Sequence, residues 1–553
     1  MKPVIDPIDL GVYWSRLVAI TAEAATAFRR AAFSSIVTES QDFAVALFNA
    51  QGELVAQPNA GFAAFAGTLS RSVPRIIAEV DGEIAPGDVY FTNDAWTGAG
   101  QLNDYFFVTP IHHDGTLIAF AATVAHSQDV GGSGQLSTRS RDIYSEGLQI
   151  PVSRFVVAGK INEPLVRLIS RNVRNPELVV GDFFSQVASN NVMANRLIEF
   201  LPDLRGIPIE QFFAEILNRA ERAMRDAVRR LPDGDYRAEI EEQAPDGTFQ
   251  LKVGISIQNG EMNIDFTGSS EQSPYAINCT ENFAVGRALA PLVSIASPGG
   301  YINGGSYRNI RMHVPKGSII NANYPAATSS RLFSSGLIAP LLLEALALIS
   351  SDRGIAGCAA PVWGPAIVGS TKGRSWSRTM LLSGGMGARP TADGVSCLNY
   401  PDAMTSIRPE ATEEDLPVQV IAQELMDDSG GSGAQRGGLG QRFVLKSKSE
   451  EPFRLSLRSP RLKSRPKGLM GGGPGAVGRI FINGIEKFDG TEDVILNPGD
   501  VVEFRSPGGG GYGPPANREA TKLQNDVLEG KVSPSTAKAV YGMNDAPDAR
   551  MAD

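Results

Sequence analysis

The spacing of hydrophobic residues changes along the chain, first from helical to strand-like and then to a glycine-rich pattern with short strands. In the first part, apolar residues recur at helical spacing over residues 10–30, 164–200 and 209–231. Asp9 is the predicted N-cap of the first helix, and a break is expected at Pro176 in the second. Between the first two helices the pattern is strand-like, so this part is expected to be a mixed α/β region.

The period becomes two after residue 232, where a Pro-Asp-Gly sequence is expected to end the last of these helices. Three alternating segments between residues 236 and 266 predict strands that are joined by Asp-Gly and Asn-Gly hairpin turns. Residues 330–349 predict an apolar helix, kinked at Pro340, that lies in the interior or at a subunit contact.

From about residue 417 the chain is rich in glycine and in short β-patterned segments, and residues 518–528 predict a helical tail. The fold class is therefore predicted to be mixed α/β (α+β) and multidomain, with a mixed N-terminal region, a mixed central region and a β-rich, glycine-rich C-terminal region. The predicted domains are residues 1–232, 233–416 and 417–553.

Composition narrows the class of protein. Of the 553 residues, 42% are hydrophobic and 20% charged, which is typical of a globular protein. The net charge is -9 and the basic residues are dispersed, so no basic face for nucleic acid is predicted. One basic cluster, residues 454–467, is expected to be a solvated face or loop, with binding of an anion or partner as the alternative.

The three cysteines are far apart, which predicts neither a disulfide framework nor a thiolate zinc site. The N-terminal segment lacks the apolar core of a signal peptide, and no run of about 18 uninterrupted apolar residues is present. A cytoplasmic location is therefore expected.

Candidate chemistry lies where three β-patterned segments end. Asp94 follows the first segment, Asp104 begins the second, and His126 and Asp129 follow the third. If the segments form adjacent strands, the four side chains come to one edge of a sheet. Carboxylates and an imidazole suit Zn, Mn or Mg and also general acid/base catalysis. Aspartates at strand ends are equally typical of turns and N-caps, so spacing alone leaves both interpretations open.

Further motifs follow in a fixed order from residue 38 to residue 513, and together they resemble the B-type subunits of hydantoinases and 5-oxoprolinases. The resemblance also extends to ATP-dependent ketone carboxylases. The motifs are Thr38-Glu39-Ser40-Gln41-Asp42-Phe43, Asn93-Asp94, Ala125-His126-Ser127-Gln128-Asp129-Val130-Gly131-Gly132, Glu146-Gly147-Leu148-Gln149-Ile150-Pro151, Asn172-Val173-Arg174-Asn175-Pro176, Tyr324-Pro325-Ala326-Ala327, Asp428-Ser429-Gly430-Gly431 and Gly508-Gly509-Gly510-Gly511-Tyr512-Gly513.

The chain departs from the family pattern at three imidazoles: Phe65, Gln101 and Ser127 stand where the family usually has histidine. The remaining set of Asp94, Asp104, His126 and Asp129 would be rich in oxygen donors. Mn or Mg is therefore favoured over Zn, and an empty site is an alternative. In a metal site, alanine at Asp94 or Asp129 is expected to remove metal and activity and to leave the fold intact.

The resemblance implies the B-type subunit of an ATP-dependent cyclic amide hydrolase. In such enzymes ATP phosphorylates the amide carbonyl, and the B-type subunit directs water at the activated substrate. His126 and Asp129 are the implied catalytic residues; Glu146, Arg174 and Arg141 are weaker candidates for orienting substrate or phosphate. A ketone carboxylase subunit and a structural subunit with a decayed site are the alternatives.

The family assigns ATP to a separate A-type subunit or domain. The glycine-rich loops of this chain have no Walker form and are expected to be structural. The chain is therefore expected to be inactive alone and to form a hetero-oligomer with an A-type partner. An apolar helix and a glycine-rich region that need burial support the same expectation.

Overall fold

The computed structural model describes residues 5–58, 63–132, 137–296, 302–371, 373–398, 400–402, 406 and 408–543; the start of the N-terminal segment, residues 1–4, lies outside them. The helices are α1 (Pro7–Ala31), α2 (Ser35–Thr38), α3 (Ala63–Ala78), α4 (Glu163–Asn172), α5 (Pro176–Phe200), α6 (Ile209–Arg229), α7 (Glu281–Ala296), α8 (Leu332–Ser335), α9 (Ile338–Ile349), α10 (Pro409–Asp415), α11 (Ala520–Leu528) and α12 (Pro534–Tyr541).

The strands belong to separate sheets, and the fold is a mixed α/β multidomain one, as predicted. They are β1 (Phe43–Asn49), β2 (Leu54–Ala56), β3 (Val89–Thr92), β4 (Asp104–His113), β5 (Thr116–His126), β6 (Ser153–Val157), β7 (Lys160–Ile161), β8 (Gly234–Ala244), β9 (Gly247–Gln258), β10 (Glu261–Asp265), β11 (Ile310–His313), β12 (Ala366–Thr371), β13 (Arg374–Thr379), β14 (Val418–Leu425), β15 (Gln441–Ser447), β16 (Phe453–Ser456), β17 (Arg479–Ile482), β18 (Ile485–Lys487), β19 (Asp493–Leu496) and β20 (Val501–Arg505).

The N-terminal sheet has the strand order β2-β1-β5-β4-β3-β6-β7. Its two faces cover different cores because side chains alternate along a strand. On β4, Phe106 and Val108 enter the larger core, whereas Tyr105 and Phe107 enter a smaller aromatic core with Phe183. The sheet is therefore buried on both sides, and polar side chains at its edge are removed from water.

A tight hairpin sets the register of β4 and β5. Asp114 and Gly115 adopt φ angles of 48° and 75°, as the predicted two-residue turn requires. At the opposite end of the hairpin, Asp104 and His126 are Cα partners. Because β3 is the other neighbour of β4, the predicted adjacency of the three segments is confirmed.

The predicted helices of the first region are confirmed, with one correction. Helix α4 ends at Asn172 and α5 begins at Pro176, where the break was expected. The predicted N-cap Asp9 is wrong: the cap is Asp6, whose side chain accepts a hydrogen bond from the Ile8 backbone at 2.8 Å. Proline at position 7 explains the shift, because proline is favoured in the first helical position.

The apolar residues predicted as one helix with a kink at Pro340 form the two helices α8 and α9, and the break falls at Gly336-Leu337. Pro340 lies in the first turn of α9, where its missing N–H lacks an intrahelical acceptor anyway. Residues Leu332–Ile349 have a mean hydropathy of 2.0 and could span a membrane by length, but 83% of them are buried in the fold. Helix α9 packs on α7, β8 and β9 of the same chain, so its apolarity is explained by the interior and not by a subunit contact.

The packing does not divide the chain as the predicted domains do, although those boundaries stay predictions. The largest core runs from Ile5 to Met386 and joins residues on both sides of position 232. A second sheet, in the order β13-β12-β16-β19, unites strands from both sides of position 416. The first two regions therefore share one interior, and the C-terminal core begins at Trp363.

The glycine-rich loops pack on one another in what we call the glycine stack, residues 384–388, 430–440, 468–475 and 508–512. Backbone hydrogen bonds connect the segments, such as Gly431 N to Gly509 O at 2.8 Å and Gly511 N to Gly473 O at 2.9 Å. A Cβ atom on Gly509 would lie 2.1 Å from Met386 O. Side chains are excluded because the backbones are in contact, so the structural interpretation of these glycines is confirmed.

Candidate functional site

The edge of the N-terminal sheet carries a buried ion-pair network. His126 Nδ1 lies 2.9 Å from Asp104 Oδ1, and Arg331 Nη2 lies 2.7 Å from Asp104 Oδ2. The side chains of Asp104, His126 and Arg331 are 0%, 9% and 3% exposed. Both oxygens of Asp104 are therefore engaged, one by an imidazole and one by a guanidinium.

Asp42 belongs to the same cluster and was missed as a site residue, although it stands in the first motif. It precedes β1, and its backbone oxygen accepts a hydrogen bond from His126 N at 3.0 Å. Burial raises the pKa of the Asp42 carboxyl to about 6, against the opposing effect of His126; Asp104 raises it further. An acidic residue directly before a wholly buried strand was the available signal.

Residues 328–331, which we call the 328–331 segment, connect the edge to the rest of the site. The backbone N–H groups of Thr328 and Ser329 both donate to Glu146 Oε1 at 2.8 Å. The carbonyl of Ser329 accepts from Gln101 Nε2 at 3.0 Å and from Arg458 Nη2 at 3.1 Å. One short segment thus holds Glu146, Gln101 and Arg458 beside Asp104.

The pKa values of Glu146 and Arg458 in this network differ from their ordinary values. Burial raises the pKa of Glu146 to about 8, although the two backbone donors oppose the shift. The carboxyl therefore mostly keeps its proton at neutral pH. Burial lowers the pKa of the Arg458 guanidinium to about 10, and the positive charge of Arg331 lowers it further, so the two arginines lie close to each other. Arg458 still carries its charge at neutral pH.

Asp129 and Arg174 form a separate pair. Arg174 Nη1 lies 2.7 Å from Asp129 Oδ1, and the backbone N–H groups of Arg174 and Gly131 also donate to this carboxylate. The charge of Asp129 helps to raise the pKa of Tyr105, after burial, and Tyr105 lies on the face of β4 opposite to Asp104. Asp129 thus holds the loop of residues 129–132 against the segment before α5, and its removal is not expected to leave the fold intact.

Asp94 and Arg141 make contacts of their own, and Asp94 Oδ2 accepts a hydrogen bond from Gln149 Nε2. Asp94 Oδ1 accepts from the backbone of Trp96 at 2.9 Å and of Thr97 at 2.8 Å, as in a turn-forming aspartate. Arg141 stacks on the ring of Tyr275 at 3.9 Å, near the surface. The turn interpretation, which the spacing left open, is therefore confirmed for Asp94.

The four predicted metal ligands are not gathered around one point. Among the residues that the structure describes, no group of three or more His, Cys, Asp or Glu side chains is arranged to hold a metal ion. Asp104 and His126 meet each other, whereas Asp94 and Asp129 are bound elsewhere. The donor set does not fit the predicted metal.

The three departures from the family pattern each have a structural role here. Phe65 packs edge-to-face on Phe283, with ring centroids 6.3 Å apart, and Arg331 lies over the same Phe283 ring at 4.1 Å. Gln101 donates to the 328–331 segment, and Ser127 Oγ donates to the carbonyl of Asp129 at 3.1 Å. The positions that would carry imidazoles instead support an arginine and a loop.

Arg331 and Arg458 were also missed. Arg331 lies beyond the motif that ends at Ala327, and only tertiary contacts show that it reaches β4. Arg458 belongs to the basic cluster of residues 454–467, for which a solvated loop was expected. That expectation is wrong for Arg458 and Arg461, which are 6% and 3% exposed, although Lys463 is exposed.

The sequence matches the family model hydantoinase B/oxoprolinase over residues 6–515. The chain belongs to this family. Within the hydantoinase B/oxoprolinase family it is 27% identical to the caprolactamase subunit beta of Pseudomonas jessenii, over 98% of this chain and 96% of that one.

Two solved structures show the same fold. The crystal structure of the ATP-dependent caprolactamase from Pseudomonas jessenii has a TM-score of 0.90 at 25% identity and covers 100% of this chain and 99% of that chain. Nucleotide-free acetone carboxylase has a TM-score of 0.86 at 20% identity, with 97% and 79% covered, and this similarity concerns the fold alone. The family thus includes ATP-dependent cyclic amide hydrolases, and relatives are named as subunits of larger enzymes.

Proposed function

We propose that this chain is the B-type subunit of a cytoplasmic, ATP-dependent cyclic amide hydrolase. It receives a substrate whose amide carbonyl has been phosphorylated by an A-type partner, and it directs water at that carbon. The observation that carries the proposal is the 2.9 Å contact between His126 Nδ1 and Asp104 Oδ1, fixed by the β4–β5 register. The family and the caprolactamase fold support the substrate class.

His126 is the group that takes a proton from water. An ionised carboxylate only accepts hydrogen bonds, so Asp104 keeps the proton on Nδ1 and leaves the Nε2 lone pair free to act as a base. The other oxygen of Asp104 pairs with Arg331 Nη2 at 2.7 Å. An amide resists water because its nitrogen lone pair stabilises the carbonyl, and phosphorylation of the oxygen makes the carbon more electrophilic. Water adds to this carbon as His126 takes its proton; the C–N bond then breaks as the ring nitrogen receives a proton, and the resulting acyl phosphate is hydrolysed by a second water to carboxylate and phosphate.

The test is turnover by the complex of this chain with its A-type partner on a panel of hydantoins, 5-oxoproline and lactams. We expect ATP-dependent ring opening, and His126→Gln should lower kcat by about 10²- to 10⁴-fold. His113→Gln is the matched control, because His113 is 44% exposed at the far end of β4. Robust ATPase or amidase activity of the isolated chain would contradict the need for a partner.

The same assay separates the alternatives. Turnover that requires bicarbonate and incorporates it into a ketone would replace the hydrolase with a carboxylase, and a complex that is indifferent to His126→Gln would indicate a structural subunit. The preference for Mn or Mg over Zn stays a prediction; elemental analysis of the active complex tests it, and stoichiometric zinc would refute it.

A further inference from the structure

Arg331 and Arg458 are buried without a full set of hydrogen-bond partners. Arg331 uses Nη2 on Asp104, but its Nε and Nη1 have no partner among the described residues. Arg458 uses Nη2 on the Ser329 carbonyl, and its Nη1 has no partner within the same part of the chain. Three donor nitrogens of two neighbouring guanidinium groups are thus left over in one place.

Such an arrangement is unfavourable unless something else accepts these hydrogen bonds. Leaving a buried donor unsatisfied destabilises a fold, and more so when the donor is charged. Arg461, in the same loop as Arg458 and equally buried, shows the usual solution: its Nε donates to the Ala360 carbonyl at 3.0 Å. The leftover donors therefore point to an acceptor other than the described chain.

The charges near these donors favour an acceptor that is itself negative. Asp104 is shared with His126, and Asp493, which acts electrostatically on Arg458, accepts hydrogen bonds from Ser137 and Ser456. Glu146 is occupied by the backbone of the 328–331 segment. The carboxyl of Asp42 completes the acidic groups of this cluster, and its Oδ1 has no hydrogen-bond partner among the described residues. None of the described carboxylates accepts a hydrogen bond from the three remaining guanidinium nitrogens.

We propose that Arg331 and Arg458 form a binding site for a substrate-borne or free oxyanion, next to the Asp104–His126 pair. Guanidinium groups match the spacing of oxygens in phosphate and carboxylate-type anions, and two of them can hold one anion from two sides. Because Arg331 and His126 contact the same carboxylate of Asp104, the bound anion lies beside the proposed base.

The identity of the anion rests on the proposed function. For a cyclic amide hydrolase it is the phosphate group of the activated carbonyl, so the site would hold this group while water adds and the C–N bond breaks, until the acyl phosphate is hydrolysed and phosphate is released. For a carboxylase the same chemistry would fit bicarbonate. Inorganic phosphate and bicarbonate are therefore the two probes. Binding of phosphate is expected for a hydrolase, and binding of bicarbonate for a carboxylase.

The experiment is calorimetric titration of the full chain with sodium phosphate, with sodium bicarbonate, and with sodium chloride at matched ionic strength. We expect saturable phosphate binding at one site per chain. Arg458→Lys and Arg331→Lys should each weaken it by about tenfold or more, because each removes a charge-assisted hydrogen bond. Arg461→Lys is the matched control and should bind as the unchanged chain does.

Absence of saturable binding of either anion would overturn the proposal, as would equal weakening by Arg461→Lys. Saturable bicarbonate binding without phosphate binding would keep the site and change its ligand. If the lysine variants do not fold, a crystal of the unchanged chain grown in phosphate decides: a tetrahedral ion on Arg331 Nη1 and Arg458 Nη1 supports the site, and ordered water alone refutes it.

Failure of this site and failure of the proposed function give different results. A complex that hydrolyses a cyclic amide while the chain binds no phosphate would refute the site only. Phosphate binding by the chain, together with a complex that turns over none of the tested amides, would refute the assigned substrate class only.

Discussion

The sheet edge and the glycine stack both bury polar groups, but they satisfy them in opposite ways. At the edge, the charged side chains of Asp104, His126 and Arg331 meet one another. In the glycine stack, backbone N–H and C=O groups pair directly, because no side chain keeps the segments apart. The backbone groups paired in the glycine stack need no ligand. At the sheet edge, by contrast, guanidinium nitrogens of Arg331 and Arg458 have no hydrogen-bond partner among the described residues.

This difference separates stability from function. Neutral, reciprocal backbone hydrogen bonds in a close-packed region stabilise one structure and leave nothing for a ligand. Buried charges that are only partly paired are unfavourable for stability, and proteins retain such groups mainly where chemistry needs them. On our proposal the sheet edge is the reactive region of the chain, whereas the glycine stack has a structural role.

The largest expected effect comes from filling the stack. Gly509→Ala would place a Cβ 2.1 Å from the Met386 carbonyl, and neither backbone can move without breaking other bonds. We expect a loss of more than about 3 kcal/mol of unfolding free energy, or no folded protein. Denaturant unfolding measures it. Gly364→Ala is the control, since its nearest neighbour is the Thr379 methyl at 3.5 Å; a similar loss there would contradict the argument.

The next largest effect is expected at the edge. Asp104→Ala leaves Arg331 buried without its ion partner and should cost about 3–5 kcal/mol of stability as well as turnover. The double variant Asp104→Ala/Arg331→Met should recover part of the stability but not the turnover, because the uncompensated charge is gone while the base stays unoriented. Asp233→Ala, an exposed aspartate, is the control. Additive losses in the double variant would show that the pair does not interact.

A smaller effect should appear as a dependence of stability on pH. The pKa of Glu146 is raised from 4.5 to about 8, so its contribution is fully present below about pH 4.5 and is lost as pH rises towards 8. Asp42, raised from 3.8 to about 6, acts with the same sign at lower pH. Glu146→Gln keeps a neutral acceptor at every pH and should flatten the loss between about pH 6 and pH 8. Unfolding curves across this range decide it; an unchanged slope would show that Glu146 is not the group responsible.

The smallest effect is expected at Asp94. Asp94→Ala removes the acceptor for two backbone N–H groups and for Gln149 Nε2. It should cost about 0.5–2 kcal/mol, as the loss of a capping aspartate does, with turnover nearly unchanged. Asp94→Asn keeps an acceptor oxygen and is the matched control. If Asp94→Ala abolished turnover and left stability unchanged, Asp94 would have a chemical role. The sequence motif suggested such a role, and the turn does not account for it.

Much of the architecture follows from local sequence. The break at Pro176, the turn at Asp114-Gly115 and the strand alternation after residue 232 each depend on residues within a few positions, so pattern and turn chemistry predict them. The same short hairpin turn sets the register of β4 and β5 and so places Asp104 beside His126 at one edge of the sheet. The errors at Asp9 and Pro340 concern the first turn of a helix, where neighbouring residues compete for the same role.

The partners of the site residues could not be predicted in this way. Asp94, Asp104 and Asp129 follow similar patterns in the sequence, yet one forms a turn, one pairs with His126 and Arg331, and one pairs with Arg174. The partner of each carboxylate depends on which side of the sheet the carboxylate faces and on which distant segments of the chain pack against that side.

The sequence by itself determined the family, the order of elements and the edge at which polar residues collect. Only the tertiary structure decided that Arg331 and Arg458 reach this edge, and that Gln101 supports their segment across 228 positions of sequence. The physical reason is that a turn or a helix is stabilised by neighbours along the chain, whereas a buried charge is stabilised by whatever the folded interior places beside it.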